Sequence, residues 1–113
     1  MQIYGGDSEG SIYVFEASDI WNDQKDTVFH FQSKQDHLHR NGIIQVLLVQ
    51  SENLIFTISY DQELKWFEAT ERAQQVAMKN PNKCCYTSIC WDKEEGELYA
   101  ADEKGFIYII NVY

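Results

Sequence analysis

The chain is poor in proline, glycine, basic residues and pairable cysteine. One Pro and 6 Gly in 113 residues exclude collagen-like, linker-like and low-complexity classes. Only 9 Lys and Arg stand against 18 Asp and Glu, a formal net charge of −9. Phosphate backbones and anionic lipid surfaces are bound through clustered cations, so neither nucleic acid nor membrane is an expected partner. The three cysteines, Cys84, Cys85 and Cys90, are odd in number and two are adjacent, which does not make a disulfide framework. Met1 opens no basic, apolar leader pattern. The longest apolar stretch, residues 43–49, is far short of the roughly 18 residues that cross a bilayer. These absences point to a reducing, cytoplasmic setting.

Apolar side chains are plentiful. They make up 44% of the chain and aromatics 14%, enough to bury a core and to argue against disorder. Internal repetition is the strongest pattern. Asp7-x-x-Gly10-x-Ile12-Tyr13-Val14 and Asp102-x-x-Gly105-x-Ile107-Tyr108-Ile109 share one spacing, and Asp61-x-x-Leu64-x-Trp66-Phe67 is a third relative. Anchors at Ile12, Leu64 and Ile107 are separated by 52 and 43 residues. The second spacing matches a four-stranded repeat of about 40–45 residues. The surplus in the first falls in polar residues 17–38, which are expected to form an extended loop.

Alternating and β-rich runs predict strands at 2–4, 11–16, 27–31, 43–49, 54–59, 64–68, 73–78, 86–91, 97–101 and 106–112. Turn residues such as Gly5-Gly6, Asp61-Gln62, Asn80-Pro81-Asn82 and Lys104-Gly105 separate them. Residues 68–79 are made of good helix formers, yet 73–78 reads as a strand. Runs apolar on both faces, Leu54-Ile55-Phe56-Thr57-Ile58 above all, belong in sheets covered on both sides.

Residues 39–67 resemble the WD-repeat family. His39, Ile43, Val46, Leu48, Ile55, Ser59 and Asp61 stand in that frame without a gap, with Phe67 at the usual Trp position. The resemblance implies a structural hydrogen-bond network of His39, Ser59 and Asp61, one member short because Phe67 has no N–H to donate. The outer repeats keep the apolar frame. Their His position holds Asn82, their turn-Asp positions hold Glu9 and Lys104, and Asp7 and Asp102 occupy the Ser position.

The implied fold is all-β, a partial β-propeller arc of about three four-stranded antiparallel blades. Its strands tally three, four and three. Residues 1–36 end a first blade and add the loop, 37–80 form a complete middle blade, and 81–113 form an incomplete third. Such an arc is expected to be completed by further blades. Bare apolar faces are expected to present Ile3, Ile12 and Val14 at one end and Ile107 and Ile109 at the other.

Catalytic readings weigh less than structural ones. Ser59, His39 and Asp61 name a nominal triad, but no nucleophile elbow or oxyanion-hole turn accompanies them. Cys84 and Cys85 are adjacent rather than two to four residues apart, which does not suit zinc even with His37 and His39 upstream. Cys90, beside Trp91 in mid-strand, suits a small buried hydrophobe. The acidic stretches at 7–10 and 92–97 lack the alternating ligands of a calcium loop. The chain is therefore read as a non-enzymatic scaffold segment that binds other proteins, without metal or cofactor. Its partners are further propeller blades or a large complex. Two other readings stand beside it: a structural component of an assembly such as a ciliary axoneme, and a hydrolase or metal-dependent enzyme working in a propeller channel.

Overall fold

The computed structural model describes residues 2–19, 27–70 and 74–113, and all its regular elements but one 3-10 turn are strands. The first sheet is a three-stranded meander of β1 (Gln2–Gly6), β2 (Ile12–Asp19) and β3 (Thr27–Gln35). The second has four strands, β4 (Ile43–Val49), β5 (Leu54–Ser59), β6 (Glu63–Glu68) and β7 (Gln75–Lys79), in sequence order. The third is β8 (Tyr86–Asp92), β9 (Glu97–Asp102) and β10 (Ile107–Ile110), again in sequence order. Every pairing is antiparallel. The expected tally of three, four and three strands is met. Ala73, the expected start of the seventh strand, lies outside the described residues.

The sequence repeat is a repeat of backbone geometry. β4 and β5 recur as β8 and β9 with both boundaries shifted by the same 43 residues, from Ile43 to Tyr86 and from Ser59 to Asp102. A strand irregularity between Ile43 and Gln45 recurs between Tyr86 and Ser88. The pairing Ile58–Leu64 recurs as Ala101–Ile107 and, 52 residues earlier, as Gly6–Ile12. The turn after each of these strands needs one left-handed residue: Gly10 at φ 84°, Gln62 at φ 70° and Gly105 at φ 86°. Glycine meets that need without strain, which explains why it recurs at two of the three turns.

The sheets lie face to face in a row, and their burial follows the period of two. On β5, Leu54, Phe56 and Ile58 face the third sheet, where they meet Tyr86, Ile89, Leu98 and Ala100. Ile55 faces the other way, onto Ile12, Leu38 and Phe67. All six residues of β5 are buried, as a strand sandwiched between two sheets must be. Phe56 stacks at a tilt on Trp91 of the third sheet, with 5.6 Å between ring centroids. Gln45 crosses the same interface: its side-chain amide donates to the Ile89 carbonyl (3.1 Å) and accepts from the Ile89 N–H (3.0 Å). A β4 side chain thus satisfies both backbone groups of a β8 residue.

Three expectations need correction. Residues 17–38 are not simply a loop, because β2 runs to Asp19 and pairs back with β3 from Thr27 onward. Backbone pairing sustains this hairpin even where side chains such as His30, Phe31 and Gln32 are exposed. Ile12 and Val14 do not lie on a bare end face: both are fully buried, and Ile12 packs toward the second sheet. The register puts Ile3, Tyr13, Phe15 and Phe31 on the outer face instead. Finally, Cys90 is exposed. Its neighbour Ile89 takes the inward face, so strand alternation turns Cys90 outward.

Candidate functional site

The expected polar network centres on His39, just before β4, and Asp61, in the turn after β5. His39 Nδ1 lies 2.9 Å from Asp61 Oδ2, with the imidazole side chain at 0% exposure and the carboxylate at 5%. An ionised carboxylate only accepts, so Nδ1 carries the proton. Nε2 is then the acceptor, and the hydroxyl that reaches it, at 2.6 Å, belongs to Thr57. Ser59 is engaged elsewhere. Its hydroxyl donates to the Asn41 carbonyl and accepts from the Asp61 N–H. The structure therefore brings His39 and Asp61 together and puts Thr57, two residues earlier on the same face of β5, in contact with His39.

Asp61 also organises its own turn, accepting from the N–H groups of Arg40 and Glu63 at 3.1 and 2.9 Å. Burial opposes its ionisation, but the N–H groups of Glu63 and Arg40 and the His39 imidazole outweigh burial, and the carboxyl titrates below the usual range. In His39 burial is the larger effect. It pushes the imidazole pKa down despite Asp61, so the neutral form with two committed nitrogens is favoured. Neither nitrogen is free to take a proton from a substrate.

The third sheet has a different polar network. Asp102 Oδ2 accepts from the Tyr108 hydroxyl (2.7 Å) and from Asn80 Nδ2 (3.2 Å). Its Oδ1 accepts from the N–H groups of Lys104 and Phe106. Asn82 donates in turn to Tyr108. Burial works against ionisation, yet these donors hold the Asp102 carboxyl far below the ordinary range. Asp7 repeats the turn, accepting from Glu9 and Ser11 N–H at 2.9 Å each. The Ser11 N–H is the chief cause of its lowered pKa, with the Tyr13 hydroxyl contributing. The shared Asp-x-x-Gly-x-Ile-Tyr pattern is thus a physical unit, in which one carboxylate ties two turn N–H groups and a tyrosine six residues on. Sequence reasoning found the pattern and missed this role. The signal was the fixed Asp-to-Tyr spacing.

Other candidates carry less chemistry. His39, Asp61 and Glu63 offer metal-ligand atoms within 4.8 Å of one another. His39 is already committed at both nitrogens, and the Lys65 ammonium lies 3.9 Å from Glu63, supplying the cation the cluster faces. The cysteines are free thiols in different settings: Cys84 is buried, Cys85 half-buried and Cys90 exposed. His37 is exposed, and its N–H donates to Ser11 Oγ. Asp92 accepts from the N–H groups of Glu94 and Glu95, so it closes its own turn. A groove of about 420 Å³ runs between β6–β7 and the C-terminal Val112 and Tyr113, with Trp66 and Val76 in its wall. Among the described residues lining it, Glu68 is the only acidic one and none is basic.

No protein-family model matches the chain, and no curated protein matches it. Among the described residues no helix is long and apolar enough to cross a membrane.

Proposed function

We propose that the chain is a partial β-propeller arc of WD-repeat type that works as a non-catalytic scaffold for other proteins. The observation that carries this reading is the sealed His39–Asp61–Thr57 chain. The residues most like a catalytic apparatus are fully hydrogen-bonded to one another, and His39 is only 1% exposed. Such a network rigidifies its surroundings and leaves no group poised for substrate. The row of sheets with one repeated turn geometry supports the arc, and free thiols suit a cytoplasmic protein. The acidic turns carrying Glu9, Glu94, Glu95 and Glu103, all exposed, form a polar rim suited to contacts with basic partner segments.

The test is cross-linking of the tagged full chain in cells, followed by peptide mapping, alongside a panel of ester and phosphoester substrates. The scaffold reading expects the same partner cross-links at the rim in repeated experiments, lost when Glu94 and Glu95 are changed to Lys in a still-folded protein. Turnover of any substrate that is abolished by His39→Gln would refute it.

A further inference from the structure

The two outer faces of the row are the two halves of an interface that the molecule already makes internally. On the third sheet, the register places Ser88, Cys90, Tyr99, Ala101, Ile107 and Ile109 on the face turned away from the second sheet. Shifted back by the 43-residue repeat, Tyr99, Ala101, Ile107 and Ile109 stand where the second sheet has Phe56, Ile58, Leu64 and Trp66. Those four residues are among the ones the second sheet packs against the third. On the first sheet the outward residues are Ile3, Tyr13, Phe15 and Phe31. Ile3 and Phe15, advanced by 52 residues, stand where the second sheet has Ile55 and Phe67, which pack against the first. One face therefore has the character that receives a following sheet, and the other the character that receives a preceding one.

Both faces are apolar and open. Ile107 and Ile109 are 72% and 65% exposed, and Phe31 is 60% exposed. Tyr13, Phe15 and Phe31 already form an aromatic row, with ring centroids 6.5 and 6.0 Å apart. Lys34 lies over the Tyr13 ring at one edge of this row. On the opposite face Asp92 is hydrogen-bonded to Tyr99, and Glu97 is half-buried at the start of β9.

We propose that a second copy of this chain docks head to tail, the third sheet of one copy covering the first sheet of the next. The occupant follows from the repeat: the residues that the second sheet presents to its two neighbours have their counterparts on these two faces of the same polypeptide. The interface is heterologous, since two different patches meet, so copies add in a closed ring or an open row. The proposal builds on the repeat frame of the scaffold reading and names one partner for it.

The experiment is sedimentation of the 113-residue chain from 1 to 200 µM, with circular dichroism as the check of folding. The wild type is expected to form species larger than a monomer, with mass rising as concentration rises. Phe31→Asp and Ile107→Asp each disable one face at an exposed position, and each variant alone is expected to associate at least tenfold more weakly. Mixed in equal amounts, the two variants each retain one competent, complementary face. They are expected to form a one-to-one dimer and nothing larger. A wild type that stays monomeric throughout, variants that self-associate as well as wild type, or a mixture that does not dimerise would overturn the proposal. None of these results touches the rim cross-links, so the scaffold reading stands or falls separately.

Discussion

Removing the Asp61 carboxylate is the most direct test of the second sheet's turn network. In Asp61→Ala three donors lose their acceptor: the His39 ring N–H and the backbone N–H groups of Arg40 and Glu63. The two backbone donors are near solvent and can be rehydrated, so each costs about 0.5 kcal/mol. The His39 side chain is at 0% exposure, and its stranded N–H costs about 2 kcal/mol, in the middle of the range for an unsatisfied buried donor. The sum is about 3 kcal/mol. At about 4 °C per kcal/mol for a domain of this length, the melting temperature should fall by about 12 °C. Thermal unfolding followed by circular dichroism measures this, and a double-mutant cycle with His39→Leu isolates the pair. Because His39→Leu removes the stranded donor, the double variant should lose clearly less than the sum of the singles. A fall below about 3 °C for Asp61→Ala, or full additivity in the cycle, would show that the contact carries no stability.

Three further outcomes are expected. Burial holds the His39 pKa below its unfolded value, so the unfolded chain binds its proton first as pH drops. Stability from this group is complete above about pH 6.5 and declines as pH falls toward the folded pKa. Comparing melting temperatures at pH 7.5 and 5.5 should show a smaller acid loss in His39→Leu than in wild type, and equal losses would refute the assignment. Gly10→Ala should destabilise far more than Gly105→Ala, although both glycines have φ near +85°, because a Cβ at Gly10 would lie 2.1 Å from the His39 carbonyl oxygen while one at Gly105 meets open space. Urea unfolding should give about 1 kcal/mol for Gly105→Ala, and equal costs at the two positions would contradict the close turn packing. A water-soluble thiol reagent should modify exposed Cys90 before Cys84 in the folded protein kept dilute enough that copies stay apart, with mass spectrometry reading the order, and prior reaction at buried Cys84 would contradict the burial.

Local chemistry made the strands legible, and three-dimensional pairing decided the rest. Residues 43–49 and 54–59 read as strands with the boundaries observed, because apolar β-formers there end abruptly at turn residues. The two strands of the β2–β3 hairpin were legible at 11–16 and 27–31, and only their extensions over 17–19 and 32–35 read as loop, because those residues are polar apart from Ala17. Ser59 and Thr57 lie on the same face of one strand, and sequence has no way to rank two hydroxyls one pleat apart. Only the height of the His39 ring over β5 selects Thr57. The Asp102–Tyr108 contact was visible as a spacing and opaque as chemistry, since a turn carboxylate and a strand tyrosine meet only once the hairpin closes.

The two joints between sheets differ mechanically. Between the first and second sheets the backbone ties gather at the turn end, where His39 N–H reaches Gly10 and Ile43 N–H reaches Asp7. A joint tied at one end opens as a book does about its spine. Between the second and third sheets the Gln45 amide grips Ile89 in mid-strand through two hydrogen bonds that must break together. That rivet resists both shear and splay. Under load or thermal agitation, the second and third sheets would move as one stiff plate, and the row would bend at the first joint, concentrating its elasticity beside Gly10.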